Sequence, residues 1–311
     1  MSEPPGAYVA VSVATVWTDP DRPRPVDAPA LANPVDLPKW LADMTLADKF
    51  GLSEQNLSQT QALYGDPVHV LSEKARWCRI ALPGQSTPKN PLGYPGWVPK
   101  AQLTDSVRFA AAATYRPLVQ VRGAPTAWLY KDPLLTARTM QISFLTRLPL
   151  LDRVDIAVRV DTPDGPRWIS AADVAVADES GYGPEPTGAV LVETAKRFLG
   201  LPYLWGGRSG FAPDCSGLTS MVYAAAGVDI PRDASAQALH GGGQRVDAVD
   251  LQPGDLLFWA KDEGVGAIHH VAMYIGEQHM IEAPGSAETV RITPVRFDAE
   301  YWGAVRFEGD R

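Results

Sequence analysis

Cysteine is nearly absent from this chain: among 311 residues only Cys78 and Cys215 occur. Two thiols so far apart in sequence make neither a disulfide framework nor a zinc site. Long hydrophobic runs are missing as well. No stretch approaches the roughly 18 apolar residues of a membrane helix. The apolar run from Tyr8 to Trp17 alternates Val, Ala and Ser and predicts one strand. Positive charge is not in excess: 28 Lys and Arg face 36 Asp and Glu, for a net charge of −8. Nucleic acid and anionic membranes, which select a basic face, are therefore not expected partners. The start, Met1-Ser2-Glu3-Pro4-Pro5-Gly6, has no basic segment followed by an apolar core, so a cytoplasmic location is expected.

What is present is a set of cores and many turns. Hydrophobic residues make up 45% of the chain, enough for globular domains, and the length suits two or three of them. With 28 Pro and 27 Gly, short β-type runs are separated by frequent turns, the pattern of small barrels. A short internal repeat supports this. Gly96-Trp97-Val98-Pro99-Lys100-Ala101-Gln102-Leu103 is echoed by Arg167-Trp168-Ile169-Ser170-Ala171-Ala172-Asp173-Val174. In both, a Gly- and Pro-rich turn leads to Trp, a β-branched residue and a closing apolar residue.

Two copies of one small β-domain are expected, spanning 1–103 and 104–178. Leu37, Trp40, Leu41 and Met44 carry helical spacing and predict a helical insertion over about 37–61 in the first copy. Asp178 to Pro186 reads as a linker by composition. Thr187 then caps a helix through Val190, Leu191, Thr194, Ala195 and Phe198. Strands are expected at Leu256–Trp259, Val271–Ile275, His279–Ala283 and Thr289–Ile292. Helices first and strands later make 187–308 an α+β domain.

Cys215 concentrates the chemistry. It follows a glycine turn and Pro213-Asp214, and Leu218, Met221, Val222 and Ala225 continue from it at helical spacing. A cysteine at a helix start meets unpaired N–H groups and the positive end of the dipole, which favour the nucleophilic thiolate. Its base would come from His269 or His270, which face opposite sides of a strand. Periodicity does not decide between them. Glu282, on the next strand, is positioned to orient an imidazole, as the third member of a catalytic triad does.

The order of motifs from 187 to 308 resembles the NlpC-type cysteine peptidases, which cleave bacterial cell-wall peptides. The matching pieces are Leu201-Pro202-Tyr203-Leu204-Trp205-Gly206-Gly207, Asp214-Cys215-Ser216-Gly217-Leu218 and Ile230-Pro231-Arg232-Asp233. Leu251-Gln252-Pro253-Gly254-Asp255-Leu256-Leu257-Phe258 and His270-Val271-Ala272-Met273-Tyr274-Ile275-Gly276 complete the set.

The resemblance implies a papain-like fold with Cys215 as nucleophile. It selects His270, because the family's histidine directly precedes Val-x-x-Tyr-x-Gly. The whole chain resembles the YkfC-like branch, with two bacterial SH3-like barrels before the peptidase. Thr60-Gln61-Ala62-Leu63-Tyr64-Gly65-Asp66 and Leu92-Gly93-Tyr94-Pro95-Gly96-Trp97 carry that likeness in the first barrel.

Members of this branch are γ-D-glutamyl-L-diamino acid endopeptidases acting on short murein peptides with a free L-Ala amine. They need no cofactor and no metal. Tyr94 matches the tyrosine that closes over that amine; the acid that acts with it is not assigned, with Asp66 nearby in sequence. Tyr203 and Trp205 match aromatic residues lining the site, Asp214 and Ser216 match substrate contacts beside the nucleophile, and Asp233 matches a further polar contact. Two positions depart from the pattern: Ala234 stands where several relatives have serine, and Glu282 where histidine is commoner. The competing readings are a non-catalytic binder of cell-wall fragments and an amidase or acyltransferase on the same fold.

Overall fold

Alternating apolar residues broken by frequent turns make β-sheet the main regular structure of the first part of the chain. The computed structural model describes residues 6–176 and 187–308; the linker expected at 178–186 lies outside them. Within the described residues, one unit holds 6–84, 92–176 and 209–211, and a second holds 85–91, 187–208 and 212–308.

The first unit contains two seven-stranded sheets. In the first are β1 (Ala7–Val9), β2 (Val13–Trp17), β3 (Ser58–Leu63), β4 (Pro67–Lys74), β5 (Trp77–Leu82), β6 (Tyr94–Pro99) and β7 (Leu103–Thr104). In the second are β8 (Leu118–Val121), β9 (Thr126–Tyr130), β10 (Arg138–Ser143), β11 (Arg147–Arg153), β12 (Ala157–Val160), β13 (Arg167–Ser170) and β14 (Val174–Val176). Their spatial orders are β3-β2-β6-β5-β4-β1-β7 and β10-β9-β13-β12-β11-β8-β14. Each strand of the second order is the corresponding strand of the first moved on by one whole set. The eight-residue repeat is thus the visible trace of a duplicated sheet: in both copies it forms a strand, one 3-10 turn and a short closing strand.

Two expectations are corrected here. Tyr8 to Trp17 is not one strand. It breaks at Ala10–Ser12, so that β1 pairs with β4 and β7 while β2 pairs with β3 and β6. The corner is fastened by backbone bonds, Ala10 N–H donating to Gln102 O and Tyr64 N–H to Ser12 O. Alternation survives the corner because Val9, Val11 and Val13 all stay buried, so periodicity cannot reveal it. The helical insertion is also shorter than 37–61 at its end and begins earlier. It consists of α1 (Ala28–Leu31), α2 (Leu37–Asp43) and α3 (Leu46–Glu54), and β3 starts at Ser58. Asn56, at φ +49°, turns the chain out of the helix, and Leu57 N–H donates back to Leu52 O.

One buried carboxylate pins this insertion. Asp27 accepts from the Arg24 guanidinium at 2.9 and 3.0 Å and from the Trp40 indole N–H at 2.9 Å. Trp40 in turn lies 6.0 Å from Trp17 of β2, ring to ring. A further helix, α4 (Val107–Tyr115), follows the first sheet, and its Phe109 joins Tyr8, Tyr64 and the second sheet's Val119, Leu129 and Ile142 in one apolar cluster.

The second unit has three principal helices, α5 (Gly188–Lys196), α6 (Cys215–Ala225) and α7 (Ala234–His240). They precede a sheet of β15 (Gln244–Val246), β16 (Leu256–Ala260), β17 (Ile268–Gly276), β18 (His279–Glu282), β19 (Arg291–Pro294) and β20 (Tyr301–Arg306). The order is β15-β20-β16-β17-β18-β19, antiparallel throughout. The strand expected at Thr289–Ile292 begins two residues later, because Thr289 forms an isolated bridge with Pro202. Leu257, Trp259, Ala272, Tyr274, Met280 and Ala304 form the apolar cluster on one face of the sheet.

Asp27→Ala is expected to lower stability by about 2–3 kcal/mol, since it strands a guanidinium and a buried indole N–H. Equilibrium denaturation measures it. A change within about 0.5 kcal/mol, ordinary for a surface substitution, would contradict the role.

Candidate active site

Cys215 is the first residue of α6 because Asp214 ends the preceding loop in extended conformation and caps the helix. The Asp214 carboxylate accepts Gly217 N–H at 2.7 Å on Oδ1 and Gly206 N–H at 2.9 Å on Oδ2. The same two oxygens accept from the two terminal guanidinium nitrogens of Arg232, at 3.0 and 2.7 Å. Arg232 and Asp214 are both buried. A charged pair is tolerable there only because its hydrogen bonds are satisfied. Arg232 also donates to the Ser216 hydroxyl at 2.9 Å. Packing at this junction is close: a Cβ on Gly217 would sit 2.0 Å from the carbonyl oxygen of Gly207, so only glycine fits.

The Cys215 side chain is buried, and its sulfur hydrogen-bonds with the backbone N–H groups of Val271 and Ser216. Val271 directly follows His270 in β17. Burial pushes the Cys215 thiol up to about 12, and the Asp214 charge acts the same way; the two N–H bonds and Arg232 offset this only in part. The helix start alone was expected to favour a thiolate. The structure adds an opposing influence: burial and the Asp214 charge favour the thiol, so a base is called on to take its proton. Tyr203 is close enough to feel charge on Cys215. Burial, then the charges of Cys215 and Asp214, hold its hydroxyl well above the usual tyrosine range, so it stays a hydrogen-bond donor. Trp205 is half-buried in the same loop.

The sheet separates the two histidines. His269 is exposed on one side, with Nε2 3.1 Å from Glu300. His270 is buried on the other, directly opposite Trp259 in the β16–β17 register, with the rings 5.5 Å apart. The β17–β18 register pairs Met273 with Ile281. One step further, Ala272 faces Glu282, so His270 lies two residues along the same face. There its Nε2 is 2.8 Å from Glu282 Oε2.

Glu282 is wholly buried and crowded with donors. Arg296 gives it two bonds, at 3.0 and 3.1 Å, Arg291 Nε one at 3.3 Å, and the Thr293 hydroxyl one at 3.2 Å. Burial alone would raise its pKa, but the bonds and charges of His270 and Arg296 outweigh that and hold the carboxyl well below the usual range. Arg296 also lies over the Trp259 ring, 4.9 Å from its centroid.

Four further candidates take the following places. Asp233 precedes α7 and pairs with Lys89 at 2.8 Å. Ala234 is the first residue of that helix. Tyr94 belongs to the first unit, where its ring is part of the barrel core and its hydroxyl lies 3.4 Å from Gln59 Oε1. Asp66 accepts Leu63 N–H in the turn after β3.

Sequence reasoning assigned no role to Arg232, Trp259, Arg291 or Arg296. Arg232 sits inside a quoted motif, and Arg291 is the register partner of Glu282. Both cysteines are free, and among the described residues no cluster of three or more His, Cys, Asp or Glu could hold a metal. No helix among them is long and apolar enough to cross a membrane.

A helix-borne cysteine set against a sheet that carries a histidine–carboxylate pair defines a papain-like cysteine peptidase. Residues 200–308 match the NlpC/P60 family, and residues 123–176 match the YKFC SH3b2 domain. A gamma-D-glutamyl-L-lysine dipeptidyl-peptidase of Bacillus cereus is 44% identical over 97% of this chain and 90% of its own length. A protein of the same name from Bacillus subtilis is 39% identical over 91% of this chain and 92% of its own. The crystal structure of an NlpC/P60 family protein from Bacillus cereus superposes with a TM-score of 0.92, at 44% identity, covering 97% of this chain and 99% of that one. The chain belongs to the NlpC/P60 family.

Two outcomes follow from the electrostatics. In His270→Ala, alkylation of Cys215 by iodoacetamide should keep accelerating past pH 9, the ordinary thiol value; a plateau at or below it would show that burial does not dominate. Glu282 has a depressed folded value, so its contribution to stability is complete above about 4.5, its ordinary value, and drains away as pH falls below that. The stability gap between the parent and Glu282→Gln should therefore narrow on acidification below pH 4.5. A gap that widens there would reverse the sign.

Proposed function

We propose that this chain hydrolyses the bond between γ-D-glutamate and an L-diamino acid in short murein peptides whose L-Ala amine is free. The observation that carries the reading is the near full-length likeness to two gamma-D-glutamyl-L-lysine dipeptidyl-peptidases, together with a complete cysteine–histidine–carboxylate set. Peptides of this kind are released wall fragments, so the activity suits recycling of cell-wall material in the cytoplasm.

In this mechanism His270 takes the proton of the Cys215 thiol, and the thiolate attacks the γ-glutamyl carbonyl carbon. The carbon–nitrogen bond breaks as His270 returns the proton to the departing amine of the diamino acid. A thioester remains on Cys215. Water, deprotonated by His270, attacks it, releases the L-Ala-γ-D-Glu carboxylate and restores the thiol. The backbone N–H of Cys215, at the helix start, is the candidate donor to the oxyanion. Because burial favours the thiol, the base acts in the first step. Glu282 keeps the imidazole oriented and stabilises its protonated form.

Tyr203 and Trp205 are the aromatic candidates for substrate contact, and the Tyr203 hydroxyl is available as a donor. Asp214 and Ser216 spend their side-chain oxygens on the helix start and Arg232, so any contact they make to substrate falls to their backbone. Asp233 and Tyr94 stand as substrate-binding candidates on the family resemblance.

Mass spectrometry of products from L-Ala-γ-D-Glu-L-Lys, L-Ala-γ-D-Glu-diaminopimelate and their N-acetylated forms tests the substrate class. Cleavage is expected only at the γ-glutamyl bond and only with the free amine. Equal cleavage of the acetylated forms would remove the amine requirement and, with it, any role for Tyr94. Cys215→Ala should abolish turnover with folding intact. His270→Ala should cost at least about a hundredfold more than His269→Ala; equal losses in two folded variants would reject the assignment of the base.

A further inference from the structure

Glu282 does not reach His270 as a lone carboxylate. Its two oxygens are shared among His270, Arg291, Thr293 and a two-pronged Arg296. Arg296 differs from the other donors in two ways. It bonds to both carboxylate oxygens, including Oε2, the oxygen that meets His270. It lies over Trp259, whose ring packs against His270. Like Arg291, it brings a full positive charge to the rear of the pair on a side chain that is partly exposed, 39% for Arg296. Arg296 therefore touches the imidazole's two supports, carboxylate and indole, without being bonded to the imidazole.

We propose that Arg296 is a positioning residue for the peptidase reaction, fixing the Glu282 carboxylate in the plane His270 requires and sharing its negative charge. This rests on the reading of Cys215 and His270 as nucleophile and base. A two-point guanidinium clamp removes the torsional freedom of a carboxylate, which a single donor does not. The charge has a second effect. An unshared Glu282 would stabilise the protonated ring strongly and hold the base in its occupied form. Arg296 withdraws part of that stabilisation, leaving a ring that both accepts and returns the proton.

The groups around His270 are few. On the next strand stand Glu282 and, behind it, Arg291 and Arg296. Trp259 on β16 is uncharged. From α6 come Cys215 and the mutually neutralised Asp214–Arg232 pair, with Tyr203 beside the sulfur. His269 and Glu300 lie on the opposite side of β17. Arg291 is the weaker partner of Glu282: it gives one bond at 3.3 Å and also pairs with Glu288.

The sign of the effect is fixed by this arrangement. With Arg296 uncharged, the carboxylate favours the imidazolium more. In Arg296→Gln the pH profile of kcat/KM is expected to move upward by about half a pH unit, a value reduced for the arginine's exposure. The kcat is expected to fall about tenfold with KM unchanged, because orientation of the base acts on the chemical step and not on binding. Arg296→Lys keeps the charge without the clamp. It should return the profile to the parent's position and leave kcat depressed.

In a Glu282→Gln background the carboxylate charge is gone, and Arg296→Gln should no longer move the profile. A fold support without this role would change melting temperature alone. Profiles of Arg296→Gln and Arg296→Lys that both superpose on the parent's overturn the proposal, as does an equal shift with and without the Glu282 carboxylate. Should Arg296→Gln not fold, Arg296→Lys decides: an undiminished kcat in the folded lysine variant overturns the clamp. Turnover surviving in Cys215→Ala would instead overturn the underlying reading of the nucleophile, which keeps the two failures distinct.

Discussion

The Asp214 carboxylate is the constraint on which the second unit's chemistry depends. One buried group closes the loop at Gly206, caps α6 at Gly217 and anchors Arg232. Remove it and three chain segments lose their common partner, and Cys215 loses the helix start that presents it. The Gly-Gly turn, the Asp-Cys-Ser-Gly step and the Ile-Pro-Arg-Asp segment look like separate motifs along the chain. In space they are one junction, with Gly207 and Gly217 in backbone contact and Arg232 bridging Asp214 to Ser216. Gln237, fully buried, extends it to α7 by bonding to the carbonyls of Ser216 and Pro231.

That arrangement works against the nucleophile it builds. Asp214 stands next to the sulfur, and its charge adds to burial in disfavouring a thiolate. Arg232 limits the damage by neutralising the carboxylate, but burial still favours the thiol. The burden of activation therefore passes to the sheet, where His270 stands in a row fixed by strand register between Trp259 and Glu282. The same device appears twice: a buried carboxylate made tolerable by a two-pronged arginine, Arg232 for Asp214 and Arg296 for Glu282. One pair positions the nucleophile and the other its base.

Much of this was legible in the sequence, for identifiable reasons. The cysteine's place at a helix start follows from Pro213-Asp214 and the apolar spacing behind it. The duplicated β-domain shows in eight residues around Trp97 and Trp168, because a closing strand needs the same turn in both copies. The histidine–glutamate pairing was visible as two adjacent strands joined by a short turn. What was hidden shares one property: it depends on register or on distant contact. The corner at Ala10–Ser12 keeps its valines buried and leaves alternation unbroken. The inward role of Asp214 and Ser216 depends on Arg232, sixteen or more residues away. Arg291 faces Glu282 only because β19 starts two residues later than its composition suggests, after Thr289 has bridged to Pro202.

The identity of the third residue follows from these hidden contacts. A histidine at position 282 would need a neutral or acceptor environment, since a ring that accepts from His270 has only an N–H left and cannot also accept from two guanidinium groups. A carboxylate has the opposite requirement: buried whole, it must be matched by positive charge or it would take up a proton. Arg291 and Arg296 supply that match from the strand opposite and the loop behind it. The departure at Glu282 is therefore not a single substitution in an otherwise unchanged site. Glutamate, the two arginines and the tryptophan that one of them covers form a set. An exchange of the glutamate alone would leave two guanidinium groups facing a ring with nothing to offer them.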